Sequence, residues 1–440
     1  MKVGAISLGC DKNRVDTERL LGFVLEAGHQ IVNNIDEADA VIVNTCAFLQ
    51  SAVKESLDTV FDVRSHQNVK YLIVAGCLPM RYLSELSAAD GLKEADALLD
   101  NSCYDRIGEV LDRLQKGEKV VLANAGGRER VKERVVTTPY HYAYLKVSDG
   151  CDNKCTFCAI PGIRGAYKST PIENLVKEAE GLVAQGVKEL ILVAQDVTRY
   201  GTDLYGEPKL IDLLKALTAL PIEKIRLLYC YPDMCTDELV DYIDAEPKIA
   251  KYIDMPMQHA SDSVLKRMNR RDDRASLMDR IAYIRSKKSD IAIRSTFMVG
   301  FPQETEEEFN DLLAFLSEVR LDNVGFFAYS KEEGTPAARM KGQVPASVKK
   351  ERLKKAEALQ SAIAEQKAKE KIGRVLTVSY DGIDYDRQCF YGHTERLCPD
   401  VDAKVYFTSE EPVEIGESYD VLVKSTKKLD LYGVTVRRQQ

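Results

Sequence analysis

The sequence has no tryptophan, only five histidines, and no apolar run near the roughly 20 residues that a membrane span requires. A spanning helix is therefore not expected, and a histidine-based zinc site has few ligands to draw on. Positive charge is not in excess either: 61 Lys and Arg stand against 69 Asp and Glu, a net of −8 at pH 7. A protein that coats nucleic acid needs a basic face, so that class is excluded as a whole, while a local basic patch is not. No GxxxxGK[ST] loop is present to cradle a nucleoside triphosphate. Met1 to Cys10 has one early lysine and a short apolar run without a small-residue cleavage pattern, which reads as a first β-strand and not as a signal peptide. Internal repeats and low-complexity tracts are absent as well. Together these features predict a cytoplasmic chain with no membrane partner.

What is present is a composition of 45% hydrophobic and 30% charged residues with a mean hydropathy of −0.26, which suits a folded globule. At roughly 150 residues per domain, 440 residues predict about three domains. Over residues 1–130, apolar runs at 3–8, 40–43 and 71–75 alternate with helical patterns near 15–27 and 50–63, the βαβαβ order of an open parallel sheet. The glycine-led, charged stretch 126–138 reads as a linker or an edge β-segment between domains. Over 139–372, strand candidates at 143–147, 189–194, 225–229, 252–255, 291–299 and 324–329 are separated by helical patterns. That rhythm predicts a partial or full (βα) barrel with its active site at the strand C-termini. Residues 347–371 contain no Gly or Pro and stop at Gly373, so they form one long helix with a solvated face. From 373 to 440 the pattern alternates in short glycine-punctuated runs, a small β-barrel. The expected fold class is α/β with that appendage.

Eleven cysteines in a reducing compartment point to metal binding or thiol chemistry before disulfides. Cys10, Cys46 and Cys77 each follow a predicted strand, in SLGC, VNTC and VAGC, and open α/β sheets gather ligands at the carboxyl ends of strands. The bland reading of these three is small buried core residues. Cys151-x3-Cys155-x2-Cys158 follows the first strand of the second domain. Three thiolates in one loop can hold three irons of a [4Fe-4S] cluster and leave the fourth iron open. Zinc is the competitor, but its cysteine-paired sites usually show CxxC twice or CxxC with later histidines, and the five histidines here have no such spacing.

The loop DGCDNKCTFCAIPGIRG at the head of a predicted barrel resembles the radical S-adenosylmethionine superfamily. With GCDKNRVD, NTCAF and AGCLP before it and a small barrel behind it, the chain as a whole resembles the methylthiotransferases. The resemblance implies a central barrel of radical SAM type, a TRAM-like last domain, and two [4Fe-4S] clusters, one on Cys10, Cys46 and Cys77 and one on Cys151, Cys155 and Cys158. It also implies S-adenosyl-L-methionine as methyl donor and radical source. One molecule would methylate a sulfur held at the first cluster. A second would be cleaved at the other to a 5'-deoxyadenosyl radical that removes a hydrogen from the substrate carbon. Phe157 would lie near the adenine, or serve equally well as a loop anchor. An electron donor such as flavodoxin or ferredoxin and a sulfur source are the implied partners. No catalytic residue beyond the cluster ligands is implied. Cys103, Cys230, Cys235, Cys389 and Cys398 match no ligand position and read as core or surface thiols, although Cys230 and Cys235 in YCYPDMC could approach the active-site mouth.

The family acts on transfer RNA adenosines or, in one group, on an aspartate of small-subunit ribosomal protein S-twelve. AQDVTRYGTDLYG, MPMQHASDSVLKRMNR and RLDNVGFFAYSKEEGTPAA resemble the ribosomal-protein group. The tRNA group usually reads GQN at Ala194, Gln195 and Asp196, and Gln-Ser-Gly at Gln258, His259 and Ala260. The segment from Arg374 to Gln440 carries 12 acidic and 9 basic residues, a net of −3 that suits a basic protein partner better than phosphate, although Lys424, Lys427, Lys428, Arg437 and Arg438 could form a local basic face. Two loops depart from the family pattern, at Gln303 and Thr170, where Gly and Arg are usual. Both loops are therefore left out of the expected site. The rival readings are a tRNA methylthiotransferase and a non-catalytic iron-sulfur or RNA-binding module.

Overall fold

Uncharged runs of Val, Ile, Leu and Ala make the central strands of two parallel sheets, which are buried along their length because helices cover them. The computed structural model describes residues 1–124 and 133–436. In the first sheet, β1 (Lys2–Ser7), β2 (Gln30–Ile31), β3 (Ala40–Thr45), β4 (Tyr71–Gly76), β5 (Ala97–Leu99) and β6 (Val120–Leu122) run parallel in the order β2-β1-β3-β4-β5-β6. Helices α1 (Asp11–Glu26), α2 (Gln50–Ser65), α3 (Cys77–Ser87) and α4 (Ile107–Gln115) accompany it. Sequence pattern located β1, β3 and β4; the other three are only two or three residues long, too short for a periodic signal. The chain leaves β1 for one neighbour and returns for β3 on the other side, so the strand order switches between β1 and β3, where such sheets bind ligands.

The second sheet begins at β7 (Tyr142–Lys146), followed by a small antiparallel pair, β8 (Ser148–Asp149) and β9 (Lys168–Ser169). It continues through β10 (Glu189–Val193), β11 (Lys224–Leu227), β12 (Ile249–Asp254), β13 (Ala292–Val299) and β14 (Asn323–Ala328), all parallel, in sequential order and not closed. This is the partial barrel expected, with all six strands where the pattern put them. Its outward-facing residues form the largest core, including Ala143, Leu145, Leu190 and Leu192. Its bore is lined by Tyr142, Tyr144, Ile191, Val193 and Tyr252, and Val15 of α1 and Cys398 of the last domain pack into the same cluster. The long helix Ala346–Lys369 is largely solvated but buries Ala356 in the outer core. No helix among the described residues is long and apolar enough to cross a membrane.

The last domain is a closed barrel of β15 (Val375–Asp384), β16 (Cys389–His393), β17 (Val405–Thr408), β18 (Ser418–Lys427) and β19 (Asp430–Thr435), of which β16 escaped the pattern reading. Arg437 and Arg438 of the supposed basic face lie outside the described residues, as do residues 126–132 of the linker. A buried ionic chain docks this barrel on the N-terminal rim of the central one. His141 and His393 both bond Asp381 (2.8 Å each), His393 Nε2 bonds Glu189 (2.9 Å), and Arg226 bonds Glu189 (2.7 Å). Burial opposes a charged His393, but Glu189 and Asp381 outweigh it and raise its pKa to about 9.

A folded-state pKa above the ordinary 6.5 means that this contribution is whole below pH 6.5 and is lost as pH rises through 9. Unfolding free energy should fall by about 2–3 kcal/mol between pH 6.5 and 9.5, and His393→Gln should remove that decline. Thermal or urea denaturation across the range checks it.

Candidate metal centres

Three strand ends of the first sheet converge. Cys10 stands at the N-cap of α1, Cys46 directly follows β3, and Cys77 opens α3, so two of the three thiols sit at helix N-termini, where a thiolate is favoured. The glycines before Cys10 and Cys77 are required. Gly9 has φ +91°, and a Cβ there would stand 2.7 Å from that of Cys46; Gly76 has φ +92°, and its Cβ would meet Asn44 Oδ1 at 2.2 Å. Asn13 Nδ2 donates to the carbonyls of Leu8 (2.6 Å), Asn44 (3.2 Å) and Thr45 (3.3 Å), sewing the ends of β1 and β3 together. Burial pushes the Cys77 thiol up to about 11, with Cys10 and Cys46 adding to the shift and Arg164 opposing it. Burial and Cys10 likewise raise Cys46.

The second trio lies on the loop held between β8 and β9, over the C-terminal mouth of the barrel. Asn153 donates to Asp196 at the end of β10 (2.7 Å), Thr156 N to Met268 O (3.0 Å), Asn269 to Lys154 O (2.8 Å), and Ala337 N to Thr156 O (2.9 Å). Cys151 and Cys155 are buried and Cys158 is partly so. Desolvation pushes Cys151 up to about 11 and Cys158 up to about 12, with Cys155 contributing to both. Phe157 packs against the apolar cluster of Met268, Met298, Phe301 and Tyr329, so it anchors the loop.

Two connections join the trios, and sequence reasoning missed both. Arg164 ends α5 (Ile160–Arg164), six residues past Cys158, and its Nη2 lies 3.6 Å from Cys77 Sγ and 3.3 Å from Asn13 Oδ1. Its Nη1 pairs with Asp16 (2.9 Å) and Asp149 (3.1 Å), and Lys146 bonds the same two carboxylates. The signal was available, in the IRG directly behind the cysteine loop, but the departure at Thr170 had removed that loop from consideration. The other connection is the segment after β11. Tyr229 OH donates to Asp11 (3.1 Å) beside Cys10, while Tyr231 OH lies 3.9 Å from Cys155 Sγ. Cys230 and Cys235 are at most 1% exposed, so within YCYPDMC the tyrosines reach the mouth and the cysteines pack in the core. Cys103 and Cys398 are also buried, and Cys389 is half-buried on the last barrel.

A cavity of about 250 Å³ opens beside Cys155, lined by Asn153, Lys154, Tyr231, Asp233 and Arg270. Arg270 is 1% exposed at its side chain and lies 4.3 Å over the Tyr231 ring, and its Nε and Nη1 have no hydrogen-bond partner among the described residues. Among the described residues no three His, Cys, Asp or Glu side chains are gathered tightly enough for a single ion. In a cluster each thiolate holds its own iron, and two sets of three thiols, one at three strand ends and one on a single loop, fit that donor pattern.

Comparison with known proteins identifies the domains and the family. Residues 145–316 match the radical SAM superfamily, residues 2–99 an uncharacterized family designated UPF0004, and residues 372–436 the TRAM domain. The ribosomal protein uS12 methylthiotransferase RimO of Clostridium botulinum strain Eklund 17B is 43% identical over 441 residues, 98% of each chain. The protein of that name from Lachnoclostridium phytofermentans is 43% identical over 439 residues, 98% of this chain and 99% of its own. The chain belongs to the RimO methylthiotransferase family. It is thus an enzyme of the radical SAM class, as the cysteine motifs implied. The solved structures of TsrM from Kitasatospora setae (TM-score 0.52, 13% identity, 76% of each chain) and OxsB (0.52, 14%, 82% of this chain and 56% of that one) share the fold.

In this RimO-family chain, Arg164→Met leaves Lys146 alone against two carboxylates, the buried Asp16 and the partly exposed Asp149. It should lower the unfolding free energy by about 3 kcal/mol, with Arg164→Lys recovering part of the loss. An unchanged urea midpoint in the Met variant would contradict the role given to Arg164.

Proposed function

We infer that this chain transfers a methylthio group to the β-carbon of an aspartate in ribosomal protein uS12. Near full-length similarity to proteins named for that activity supports the reading, and the observation that carries it is the pairing of two cysteine trios across one buried seam. Cys151, Cys155 and Cys158 would hold one [4Fe-4S] cluster and Cys10, Cys46 and Cys77 a second. When bound, these clusters with S-adenosyl-L-methionine supply one-electron hydrogen abstraction and a positioned sulfur, the two things an unactivated C–H bond requires.

The chain's own residues do the rest. The cysteines act as ligands, not as nucleophiles. Arg164 places positive charge against Cys77 and so favours its thiolate form. Arg270 presents unpaired N–H donors near Cys155, which suits an anionic group such as the carboxylate of S-adenosylmethionine. Phe157 fixes the loop beneath the adenine it would border. The last barrel, with 12 acidic against 9 basic residues, complements a basic ribosomal protein and not RNA phosphate. A small redox protein such as flavodoxin or ferredoxin would deliver electrons, and a separate sulfur source would replenish the transferred atom.

Anaerobic iron and sulfide analysis should find about eight irons per chain, falling to about four when Cys151, Cys155 and Cys158 are all replaced by Ala. Cys155→Ala alone should abolish 5'-deoxyadenosine release. Incubation with uS12 and reductant should add a methylthio group to uS12, seen by mass spectrometry. Zinc in place of iron, or modification of tRNA in place of uS12, would overturn the reading.

A further inference from the structure

Lys12 lies two residues past Cys10 in the first turn of α1 and is only 6% exposed. Other buried cations of this seam are matched by carboxylates: Arg164 and Lys146 by Asp16 and Asp149, and Arg134 by Glu18 and Glu178. Lys12 is not. Among the described residues no carboxylate reaches its ammonium, which rests 3.3 Å from the centroid of the Tyr229 ring. The adjacent Asp11 accepts the phenol hydrogen of Tyr229 instead (3.1 Å). A buried ammonium is costly without a counter-charge, and the face of one phenol ring returns only part of that cost.

The location supplies the missing anion. Lys12 stands beside Cys10 of one trio and over Tyr229, and Tyr231, two residues on, touches Cys155 of the other. A side chain that must meet both the abstracting group and the sulfur donor enters between these points. We propose that Lys12 receives the carboxylate of the substrate aspartate and thereby selects an acidic side chain over a neutral one. This rests on the function inferred above, since it assigns the recognition element for the same reaction. The carboxylate is bonded directly to the carbon that reacts, so pairing it with a fixed ammonium holds that carbon in place. A neutral group docked there leaves Lys12 buried and unpaired, which is the stronger source of discrimination.

The test is competition between uS12 and uS12 carrying Asn at the modified aspartate, with the full-length anaerobically reconstituted chain and methylthiolation read by mass spectrometry. Wild type should prefer Asp by about tenfold to a hundredfold in kcat/KM, the range of one charge-assisted hydrogen bond. Lys12→Met and Lys12→Gln should bring the preference to within about threefold, while Lys12→Arg, which keeps the charge, should retain most of it. A purely structural lysine would lower both rates together and leave their ratio alone. An Asp-to-Asn ratio that stays at the wild-type value in Lys12→Gln overturns the proposal. A wild-type chain that modifies neither form of uS12 overturns instead the function on which the proposal rests.

Discussion

Arg164, Lys146 and Asp149 of the central domain meet Asp16 of α1 across the seam between the first two sheets, and the other contacts of that seam depend on this match. Removing charges from water costs several kcal/mol each, and their mutual attraction returns it only when the geometry is complete. Burial alone would raise the pKa of Asp149, but Arg164 and Lys146 pull it well below the usual carboxylate range, so the carboxylate stays ionised with the seam closed. Sliding one domain against the other would strand at least one of the four. The cluster therefore contributes register more than stability, and register is what puts Cys77 within 3.6 Å of a guanidinium carried by the other cysteine loop.

The open barrel creates a second dependence. Six parallel strands do not close, so the apolar bore of Tyr142, Tyr144, Ile191, Val193 and Tyr252 would be left partly wet. Val15 from α1 and Cys398 from the last barrel pack into it, while the His141, Asp381, His393, Glu189 and Arg226 chain ties the last barrel to the same rim. Both flanking domains thus contribute side chains to the bore of the open barrel.

Legibility in the sequence followed the range of the signal. The six barrel strands carry mainly apolar runs separated by helical patterns, so pattern alone located them, whereas β2, β5, β6 and β16 are two to five residues long and were lost. The radical loop was visible because its three thiols share eight residues of chain. The N-terminal trio draws on three loops up to 67 residues apart, and only the repeated placement of cysteine at a strand end suggested that they meet. Arg270 and Lys12 carried no such mark, and Arg164 had only its place in the IRG behind the cysteine loop. A buried cation is indistinguishable from a surface one in composition, and what sets these three apart is the partner each has or lacks once the chain has folded.

The two trios rest on one device used in two topologies. In each, a strand runs out beneath a cysteine in a loop fixed by backbone hydrogen bonds, and an arginine from outside that loop lies close to one of the thiols. Nearby positive charge favours the thiolate over the thiol, so at Cys77 it offsets part of the upward push that burial gives. At Cys77 that arginine comes from the other domain. The N-terminal sheet therefore does not complete the surroundings of Cys77, and this thiol, the best buried of the first trio, meets its positive neighbour only when the other cysteine loop is docked. Coupling of this kind makes the two cysteine sites a single unit of structure, with Lys12 and Tyr229 lying where the halves meet.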